Sequence, residues 1–455
     1  MDFLDKLVHA QSAEHMVLLR YLLALTYLLV LPYMSVLFGA TLYSLIYSRK
    51  GRKTGEKKYL KFAKELADII TVNKSIPFAL GIIPFLSIVF DYAQLLHLTD
   101  LNVPEYVFFA LILFVIALVF IYTYKYSAHL RDIFSYVSGK AGSGEGSEIE
   151  ELENYNKSAN QLYSKSGLYG FLFLVLSSFI LIGSMQLAAD TTRWSADVTI
   201  FSVIFSLSSI TYYLNFIASA LAVTSAFILY IYFRPNNERK EKDQEYLAFV
   251  KKFALNTGLV FSAAIPVLTA LNIFTLPGNS ITYGFFGVTL VLLVLLLIIC
   301  NLFYRMIKES KIEFSAPLFY FFILVFIFAI IKDHTAFDTA TKAQFVKLTD
   351  NYAQFEDDFK KQMGVETVAA VSGADIYNGK CIACHAFDHR VVGPAYDDVL
   401  GKYVNDHAAL VQFISHPVKK NPNLPTMPNQ GLKPNEVEAI ANYIIERYKK
   451  ETGKK

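Results

Sequence analysis

Two cysteines and a histidine stand together near the C-terminus, in the stretch Cys381-Ile-Ala-Cys384-His385. On one helical turn, two thiols at this spacing reach the two vinyl groups of a haem and form thioethers with them. The adjacent imidazole then points at the iron as the proximal ligand. The alternatives are a disulfide, a redox pair of thiols and half of a zinc site. Because no further cysteine follows, a zinc site lacks its second ligand pair. The spacing therefore predicts one covalently attached haem c.

The sixth ligand of the iron must come from another part of the chain. Met427 is the only methionine after the motif. Its surroundings are stiff and resist helix formation, because three prolines fix φ and remove backbone donors: Pro422, Pro425 and Pro428. His389 and His416 are alternative sixth ligands, although exposed surface histidines are the simpler interpretation of both. We therefore predict ligation of the iron by His385 and Met427.

The run Cys381–Tyr403 carries a resemblance to a known family, including its Gly393-Pro394-Ala395-Tyr396 sequence. It resembles the small soluble class I cytochromes c of bacterial respiratory chains, and within them the donors to periplasmic nitrite reductases. The resemblance implies that a backbone carbonyl near the matching proline accepts the imidazole N–H and so fixes the ring. The residues to which it assigns roles are the haem-holding Cys381 and Cys384, the iron ligands His385 and Met427, and Pro394 packing behind the histidine.

The part of the chain before this region is strongly apolar, and hydrophobic residues make up 54% of the whole sequence. Stretches of about 20 apolar residues are long enough to cross a bilayer. Pro32, Pro84 and Pro266 fall inside these stretches, so kinks are expected there. Eight spans are predicted: Leu18–Tyr47, Ile76–Leu98, Glu105–Tyr126, Gly167–Ala188, Thr211–Phe233, Phe253–Phe274, Ile281–Phe303 and Ala316–Ile331.

The connections between these spans alternate sharply in charge. Lysines and arginines concentrate in residues 48–74, 125–165, 234–252 and 305–311, whereas the intervening connections carry one basic residue, Arg193. Basic loops face the cytoplasm, so both termini are predicted to lie outside. Thr199–Arg234 is long enough for one crossing or two. One crossing, with Thr199–Ile210 along the outer surface or re-entrant, keeps the haem motif on the outer side, where haem is attached.

These observations predict three parts: a polytopic membrane domain over residues 1–332, a linker or stalk over 333–370, and a cytochrome c domain over 371–455. Four apolar residues of the linker recur at helical spacing, which favours a stalk helix: Phe345, Leu348, Tyr352 and Phe355. The fold class is therefore all-α, an eight-span transmembrane bundle followed by a small helical cytochrome domain.

Three polar residues stand three apart near the outer end of the second span, and they are predicted to share a helix face: Asp91, Gln94 and His97. Ionisable residues inside a span mark functional sites by default. One interpretation is a quinol site in which Asp91 or His97 accepts a proton. A second is a haem b held by His15 and His97. A third is a set of interfacial polar residues bonded within the bundle.

The membrane region also resembles subunit I of the cytochrome bd quinol oxidases in short apolar motifs. These are Leu19–Thr26, Leu31-Pro32, Lys61–Lys64 and Phe78–Gly81. The histidine of that family's first span is missing from Ala24–Tyr33, and spans three and five lack its acidic pair and ligand histidine. The resemblance therefore implies no haem ligands here and makes oxygen reduction an unexpected activity.

Together, the patterns predict a multi-pass protein of the bacterial inner membrane with its haem domain in the periplasm. The expected function is one-electron transfer in a respiratory chain, with other respiratory subunits or soluble cytochromes as partners besides the lipid bilayer. The alternative is a quinol-oxidising subunit that reduces its own haem c, an oxidoreductase of the quinol:cytochrome c type. Basic clusters occur in the predicted cytoplasmic loops, where topology explains them, so no nucleic-acid partner is expected.

Overall fold

The computed structural model describes residues 8, 10–141, 147–194, 198–234, 243–309, 312–363, 372–422 and 424–452. Within these ranges the chain is helical and forms no strands. The helices separate into two compact units, Met1–Tyr352 and Ala353–Lys455. The first is called here the membrane unit and the second the C-terminal unit. The predicted all-α fold class is confirmed.

The membrane unit consists of long helices joined by short connections. Eight helices in the described ranges are long and apolar enough to cross a membrane, as the sequence predicts. They are α1, α3 with the π-helical turn Pro77–Ile82 before it, α4, α5, α7, α8, α9 and α10. The bounds are α1 Ala13–Thr54, α2 Lys57–Ile70, α3 Ile83–Leu95, α4 Val103–Ala141, α5 Ser147–Ala189, α6 Ile200–Ile204, α7 Leu207–Phe233, α8 Gln244–Thr275, α9 Tyr283–Lys308, α10 Ser315–Ala340 and α11 Lys342–Gln362. The part of α11 after Tyr352 belongs to the C-terminal unit.

Local sequence sets where α1 begins and how closely it packs. The Ser12 side chain caps the helix by accepting a hydrogen bond from the His15 backbone N–H. At Gly39 the helix lies directly against α7, because a Cβ there would stand 2.2 Å from Thr224 Oγ1. Small residues at such positions let membrane helices approach closely. α7 accordingly lies in the interior of the unit, and two-thirds of an apolar stretch of 18 residues within it is buried.

The prolines in the spans have different local consequences. Pro32 and Pro266 lie inside α1 and α8, which continue as helices on both sides of them. Pro84 stands at the start of α3, directly after the π-helical turn Pro77–Ile82. A proline lacks the N–H that an α-helix needs at this point, and the wider turn occurs just before it.

In the ambiguous stretch between α5 and α8, the described residues 198–234 contain one helix long enough to span a membrane. α6 is one short turn, and α7 begins after a break at Phe205 and Ser206. Ser206 caps α7 by accepting a hydrogen bond from the Ser209 N–H, so the chain starts a new helix here. One long helix, α7, therefore follows this break.

α10 leads almost directly into α11, with Thr341 between the two helices. Within the membrane unit, α11 rests on the turn after α3: Gln344 Nε2 donates to the His97 carbonyl at 2.5 Å and Lys347 Nζ to the Leu98 carbonyl at 2.7 Å. The predicted linker 333–370 thus contains the end of α10 and all of α11. Its last residues, 364–370, lie outside the described residues.

The C-terminal unit is built from short helices around one long one. Its elements are α12 Gly373–Ile376, the π-helical turn Tyr377–Cys381, α13 Tyr396–Val399, α14 His407–Ser415 and α15 Pro434–Thr452. α15 supplies the core stripe that its sequence periodicity predicts, with Val437, Ile440 and Ile444 all buried. Glu436 accepts a hydrogen bond from the Lys433 N–H and so fixes the start of this helix.

Candidate functional site

The Cys-Ile-Ala-Cys-His segment forms a turn at the end of the first helical piece of the C-terminal unit. The carbonyl of Cys381 accepts hydrogen bonds from the N–H groups of Cys384 at 3.1 Å and His385 at 2.9 Å. The carbonyl of Cys384 in turn accepts from the N–H groups of Val392 and Gly393. These bonds close the loop 385–392, so both thiols and the imidazole belong to one rigid piece of backbone.

The ring of His385 is oriented by a single backbone contact. Its Nδ1 lies 3.0 Å from the carbonyl oxygen of Pro394, which is the contact that the family resemblance implies. Because a carbonyl can only accept, Nδ1 carries the proton and Nε2 has a free lone pair. A neutral imidazole with a free Nε2 is the form that ligates iron.

Two neighbours hold the other faces of this ring. Tyr396 stacks on the His385 ring, with 5.0 Å between ring centroids and 5° between planes. A Cβ at Gly393 would stand 2.2 Å from His385 Cε1, so only glycine allows the ring to lie this close to the backbone. Burial raises the pKa values of the Tyr396 hydroxyl and the Cys381 thiol, which keeps both groups neutral beside the ring.

Met427 lies in an extended segment between α14 and α15 that contains Pro425 and Pro428. Side-chain bonds attach this segment to its surroundings at its C-terminal side. Lys380 Nζ donates to the Gln430 carbonyl at 3.3 Å, and Asn429 Nδ2 donates to the Ser415 carbonyl at 3.2 Å. The methionine is therefore carried by a loop that is tied to both the thiol-bearing turn and α14.

The two cysteines, His385 and Met427 all line one cavity of about 530 Å³. This volume falls within the range of about 300–1,000 Å³ typical of cofactor pockets. Pro394 lines it too, and its apolar walls come from α13, α14 and α15 and the segments between them. The apolar lining includes Val399, Leu400, Leu410, Phe413, Ile414, Leu432, Ile440 and Ile444.

The charged residues that line this cavity are all basic. Lys420 Nζ is held 2.7 Å from the Tyr403 hydroxyl and 4.7 Å from the centroid of the Phe413 ring. No carboxylate occurs among the described residues that line the cavity, whose lysines are Lys380, Lys402, Lys419 and Lys420. Sequence reasoning missed this feature, because single lysines in loops carry no signal until the fold brings them together.

The two alternative histidine ligands lie elsewhere. His389 is exposed, and its Nδ1 lies 2.8 Å from Asp388 Oδ1. His416 is exposed at the end of α14. Neither is among the residues that line the cavity. The geometry of the described residues therefore favours Met427 over both as the group facing His385.

The residues that line this cavity fit a haem both by their chemical groups and by the space that they enclose. Two thiols, one imidazole with a free nitrogen and one thioether converge on the same cavity. The lysines complement the two propionate groups that every haem carries. Because Gly393 has no side chain, the ring of His385 can lie against its backbone at the edge of the cavity.

In the membrane unit, the structure separates the three polar residues near the end of the second span. Asp91 and Gln94 lie on α3, whereas His97 lies beyond its end at Leu95. The prediction of one shared helix face is therefore wrong for His97. The chain must reverse direction before α4 begins at Val103, and it does so through a turn in which Leu98 has φ 63°.

The placement of these residues bears on the two proposed membrane sites. Asp91 is buried, with 1% of its surface exposed, and its Oδ2 atom has no hydrogen-bond partner. The Oε1 atom of Gln94 is likewise buried without one. His15, the suggested partner of His97 in a haem b site, is an exposed residue in the first turn of α1.

Sequence reasoning missed a larger polar cluster around the end of α10. Its members come from α1, α3, α7 and α10, and they lie around a cleft described below. They are Arg20, Tyr27, Tyr92, Tyr212, Lys332, Asp333, His334 and Asp338. The available signal is the charged run Lys332-Asp333-His334, which directly follows an apolar span at the boundary between the predicted membrane domain and the predicted linker.

Comparison with known proteins identifies the C-terminal region. The model of a family described as cytochrome c oxidase, cbb3-type, subunit III, matches residues 368–444. Cytochrome c-551 of Pseudomonas denitrificans is 32% identical over 78 residues, which is 16% of this chain and 95% of that protein. Cytochrome c-551 of Pseudomonas aeruginosa is 32% identical over 71 residues, 15% of this chain and 68% of that protein.

A third relative, cytochrome c-551 of Allochromatium vinosum, is 30% identical over 86 residues, 17% of this chain and 92% of its own length. These matches confirm the predicted cytochrome c domain at the C-terminus, and with it haem c as the group that such a domain carries. They do not show the likeness to subunit I of the bd oxidases, which stays a prediction.

Proposed function

The C-terminal part of this chain belongs to the cytochrome c family, and from that premise we propose that the protein carries single electrons along a respiratory chain, at the periplasmic face of a bacterial inner membrane. The observation that carries the proposal is the cavity where the cysteine pair, His385 and Met427 meet. The eight apolar helices make the protein a multi-pass membrane protein in contact with lipid.

We assign the roles in the cavity residue by residue. Cys381 and Cys384 would hold one haem through thioethers, and His385 and Met427 would ligate its iron. When bound, the haem supplies a one-electron Fe³⁺/Fe²⁺ couple, and methionine ligation favours a high potential. Pro394 fixes the histidine tautomer through its carbonyl. The lysines around the cavity offset the charge of the propionates.

The apolar lining of the cavity has its own effect on the electron transfer. Leu400 and Ile440 are each 1% exposed and exclude water from the interior of the unit. A dry, rigid surrounding strengthens electrostatic interactions and reduces the reorganisation that accompanies a change of charge. The unit is therefore suited to gaining and losing an electron without rearranging.

The proposed orientation rests on loop charge and on the number of helices. An even number of crossings leaves both ends of the membrane unit on the same side. The basic connections 48–74, 125–165, 234–252 and 305–311 face the cytoplasm by the positive-inside rule. The C-terminal unit then lies in the periplasm, where soluble cytochromes or other respiratory subunits can exchange electrons with it.

The direct test is a pyridine haemochrome assay with protein quantification on the full-length, detergent-solubilised protein. We expect one haem c per chain and no haem b. Absence of covalent haem would overturn the proposal. A second haem of the b type would instead make the membrane unit a redox domain, with His15 and His97 the first ligands to substitute.

A second candidate function is quinol oxidation by the membrane unit, with electrons passed to the haem c. The observation that favours it is the cluster of buried and half-buried charged and phenolic groups at the end of α10. Quinol releases two electrons and one haem c would accept one. A second cofactor or a partner would therefore be needed to take the other electron.

A further inference from the structure

The membrane unit contains a narrow cleft between α1, α3, α5, α7 and α10. Its lining is mostly apolar, with a few polar groups at one side, as is typical of sites for small organic ligands. We propose that this cleft is a binding site for the headgroup of a quinol or quinone, an inference that rests on the second candidate function above. The polar residues of the lining are Tyr27, Tyr92, Gln186, Tyr212, Asp333 and His334.

His334 contributes an imidazole to the lining of the cleft. Its Nε2 lies 3.2 Å from Asp338 Oδ2, one helical turn further along α10. Arg20, on α1, lies 3.4 Å from the other oxygen of the same carboxylate. Both contacts are ion-pair distances, and they place the imidazole beside a carboxylate and a guanidinium. In its neutral form the ring keeps one nitrogen that can accept a hydrogen bond from a quinol hydroxyl.

A second pair of groups provides donors. The hydroxyls of Tyr27 and Tyr92 lie 3.0 Å apart, and their mutual bond uses only one of their two protons. The remaining O–H can donate to the second oxygen of a para-dioxygenated ring. The cleft therefore presents both an acceptor and a donor, which is the pattern that distinguishes a quinol from an ordinary lipid chain.

Asp333 is held at the edge of the cleft by a buried lysine. Lys332 is 5% exposed and forms an ion pair with Asp333. Its Nζ also lies 5.4 Å from the centroids of both the Tyr212 and the Phe285 ring. A charged pair in an apolar surrounding is costly unless it serves a purpose, and ionisable residues in spans mark ligand and proton sites.

The space in the cleft defines how a ring must enter. The free volume is about 30 Å³, room for about two water molecules. A ring is larger than this space, so the half-buried residues of the lining must move aside for a headgroup to enter. The apolar lining residues that are only half-buried are Ala24, Leu31, Met185 and Leu276. Because these side chains are partly exposed, we expect an isoprenoid tail to leave the cleft past them.

This placement revises the quinol site predicted from sequence. Asp91 is the chain neighbour of Tyr92 but is not among the residues that line the cleft, and neither are Gln94 and His97. Within the described residues, the site moves from one polar face of the second span to groups contributed by five helices. Asp91 then acts behind the tyrosine pair rather than in contact with the ligand.

The test is a fluorescence titration of the full-length holoprotein in detergent with 2-heptyl-4-hydroxyquinoline N-oxide, a quinol analogue whose emission is quenched on binding. We expect saturable binding of one molecule per chain. His334→Asn removes the imidazole acceptor and should weaken binding about tenfold. Ala24→Phe fills the cleft and should abolish binding.

His129→Asn is the matched control. His129 is also held by a carboxylate, with 2.9 Å between its Nε2 and Asp68 Oδ1, but it lies on α4 away from the cleft. This variant should bind as the wild type does. The proposal is overturned by absence of saturable binding, or by equal affinity in wild type, His334→Asn and Ala24→Phe. Haem content measured on the same samples keeps this failure separate from a failure of the cytochrome proposal.

Discussion

The haem cavity of the C-terminal unit and the cleft of the membrane unit each contain a histidine with a ring nitrogen close to an oxygen atom. In the C-terminal unit the contact is a hydrogen bond to a neutral backbone carbonyl nine residues further along the chain, at Pro394. In the membrane unit the contact is an ion pair with a carboxylate that is also paired with Arg20, more than 300 residues away. The histidine contact in the C-terminal unit lies within one short segment of the chain, whereas the membrane site is assembled from residues of five helices.

This difference has an energetic side. The carbonyl of Pro394 is neutral, and its bond to His385 leaves no charge buried behind the ring. The membrane cleft instead keeps Lys332 and Asp333 out of water, with side-chain exposures of 6% and 20%. Buried ion pairs contribute little net stability and cost several kcal/mol when one partner is lost. The contact between His385 and Pro394, called here the local site, therefore carries little energetic cost. The membrane cleft with its ion pairs, called here the distributed site, is stable only when every charged partner is present.

The largest expected effect concerns the local site. Replacing both Cys381 and Cys384 by alanine should eliminate covalently bound haem completely, because no thioether can form. Cys300→Ala is the matched control: this third cysteine lies on α9 in the membrane unit and should be replaceable without loss of haem. Haem staining after denaturing electrophoresis measures both. Covalent haem that survives in the double variant would contradict the assignment.

The second prediction tests the other end of the same cavity. Met427→Ala should leave the haem attached but remove its sixth ligand, with complete loss of the low-spin spectrum and a lower reduction potential. Met363→Ala, an exposed methionine on the other side of the motif, should change neither. Visible and magnetic circular dichroism spectra measure the ligation. A low-spin spectrum retained in Met427→Ala would direct attention to His389 and His416.

The third prediction measures the dependence of the distributed site on its partners. Lys332→Met should lower the free energy of unfolding of the solubilised protein by about 3 kcal/mol, because it leaves Asp333 as a half-buried unpaired carboxylate. Adding Asp333→Leu should recover most of the loss, since removal of both charges leaves no unpaired group. Thermal unfolding followed by circular dichroism compares the variants.

Lys347→Met is the control for this pair. Lys347 is exposed and donates one hydrogen bond to the Leu98 carbonyl, so its loss should cost about 1 kcal/mol or less. If Lys332→Met were as mild as Lys347→Met, the cluster would be solvated like a surface site. The ion pair of Lys332 and Asp333 would then depend on its partner no more than a surface contact does.

What could be predicted from the sequence follows the same division. Eight spans and the cytochrome unit were predictable because hydrophobic length and a five-residue motif are local signals. The contact between His385 and Pro394 followed from a resemblance confined to one segment. The cleft was not predictable, because Arg20, Tyr27 and Tyr92 meet His334 only after α1, α3 and α10 have packed together.

The wrong prediction for His97, in the membrane unit, also has a local cause. Helical periodicity placed His97 on the face of Asp91, but periodicity does not show where a helix ends. α3 stops at Leu95, and the turn that follows contains a non-glycine residue with positive φ, Leu98. No glycine or proline marks that end in the sequence, so the usual termination signals were missing.

The smallest expected effect sharpens the local side of the comparison. Gly393→Ala places a Cβ within 2.2 Å of His385 Cε1 and 2.7 Å of Nε2, so the ring must shift away from the Pro394 carbonyl. We expect a loss of about 1–3 kcal/mol, as for overpacked cores, together with a change in the haem spectrum. Gly379→Ala, where a Cβ meets nothing within 4 Å, is the control. Thermal unfolding monitored at the haem absorbance distinguishes the two. Equal behaviour of both variants would mean that the position of the ring is not fixed by this segment, and the local site would then need distant partners just as the cleft does.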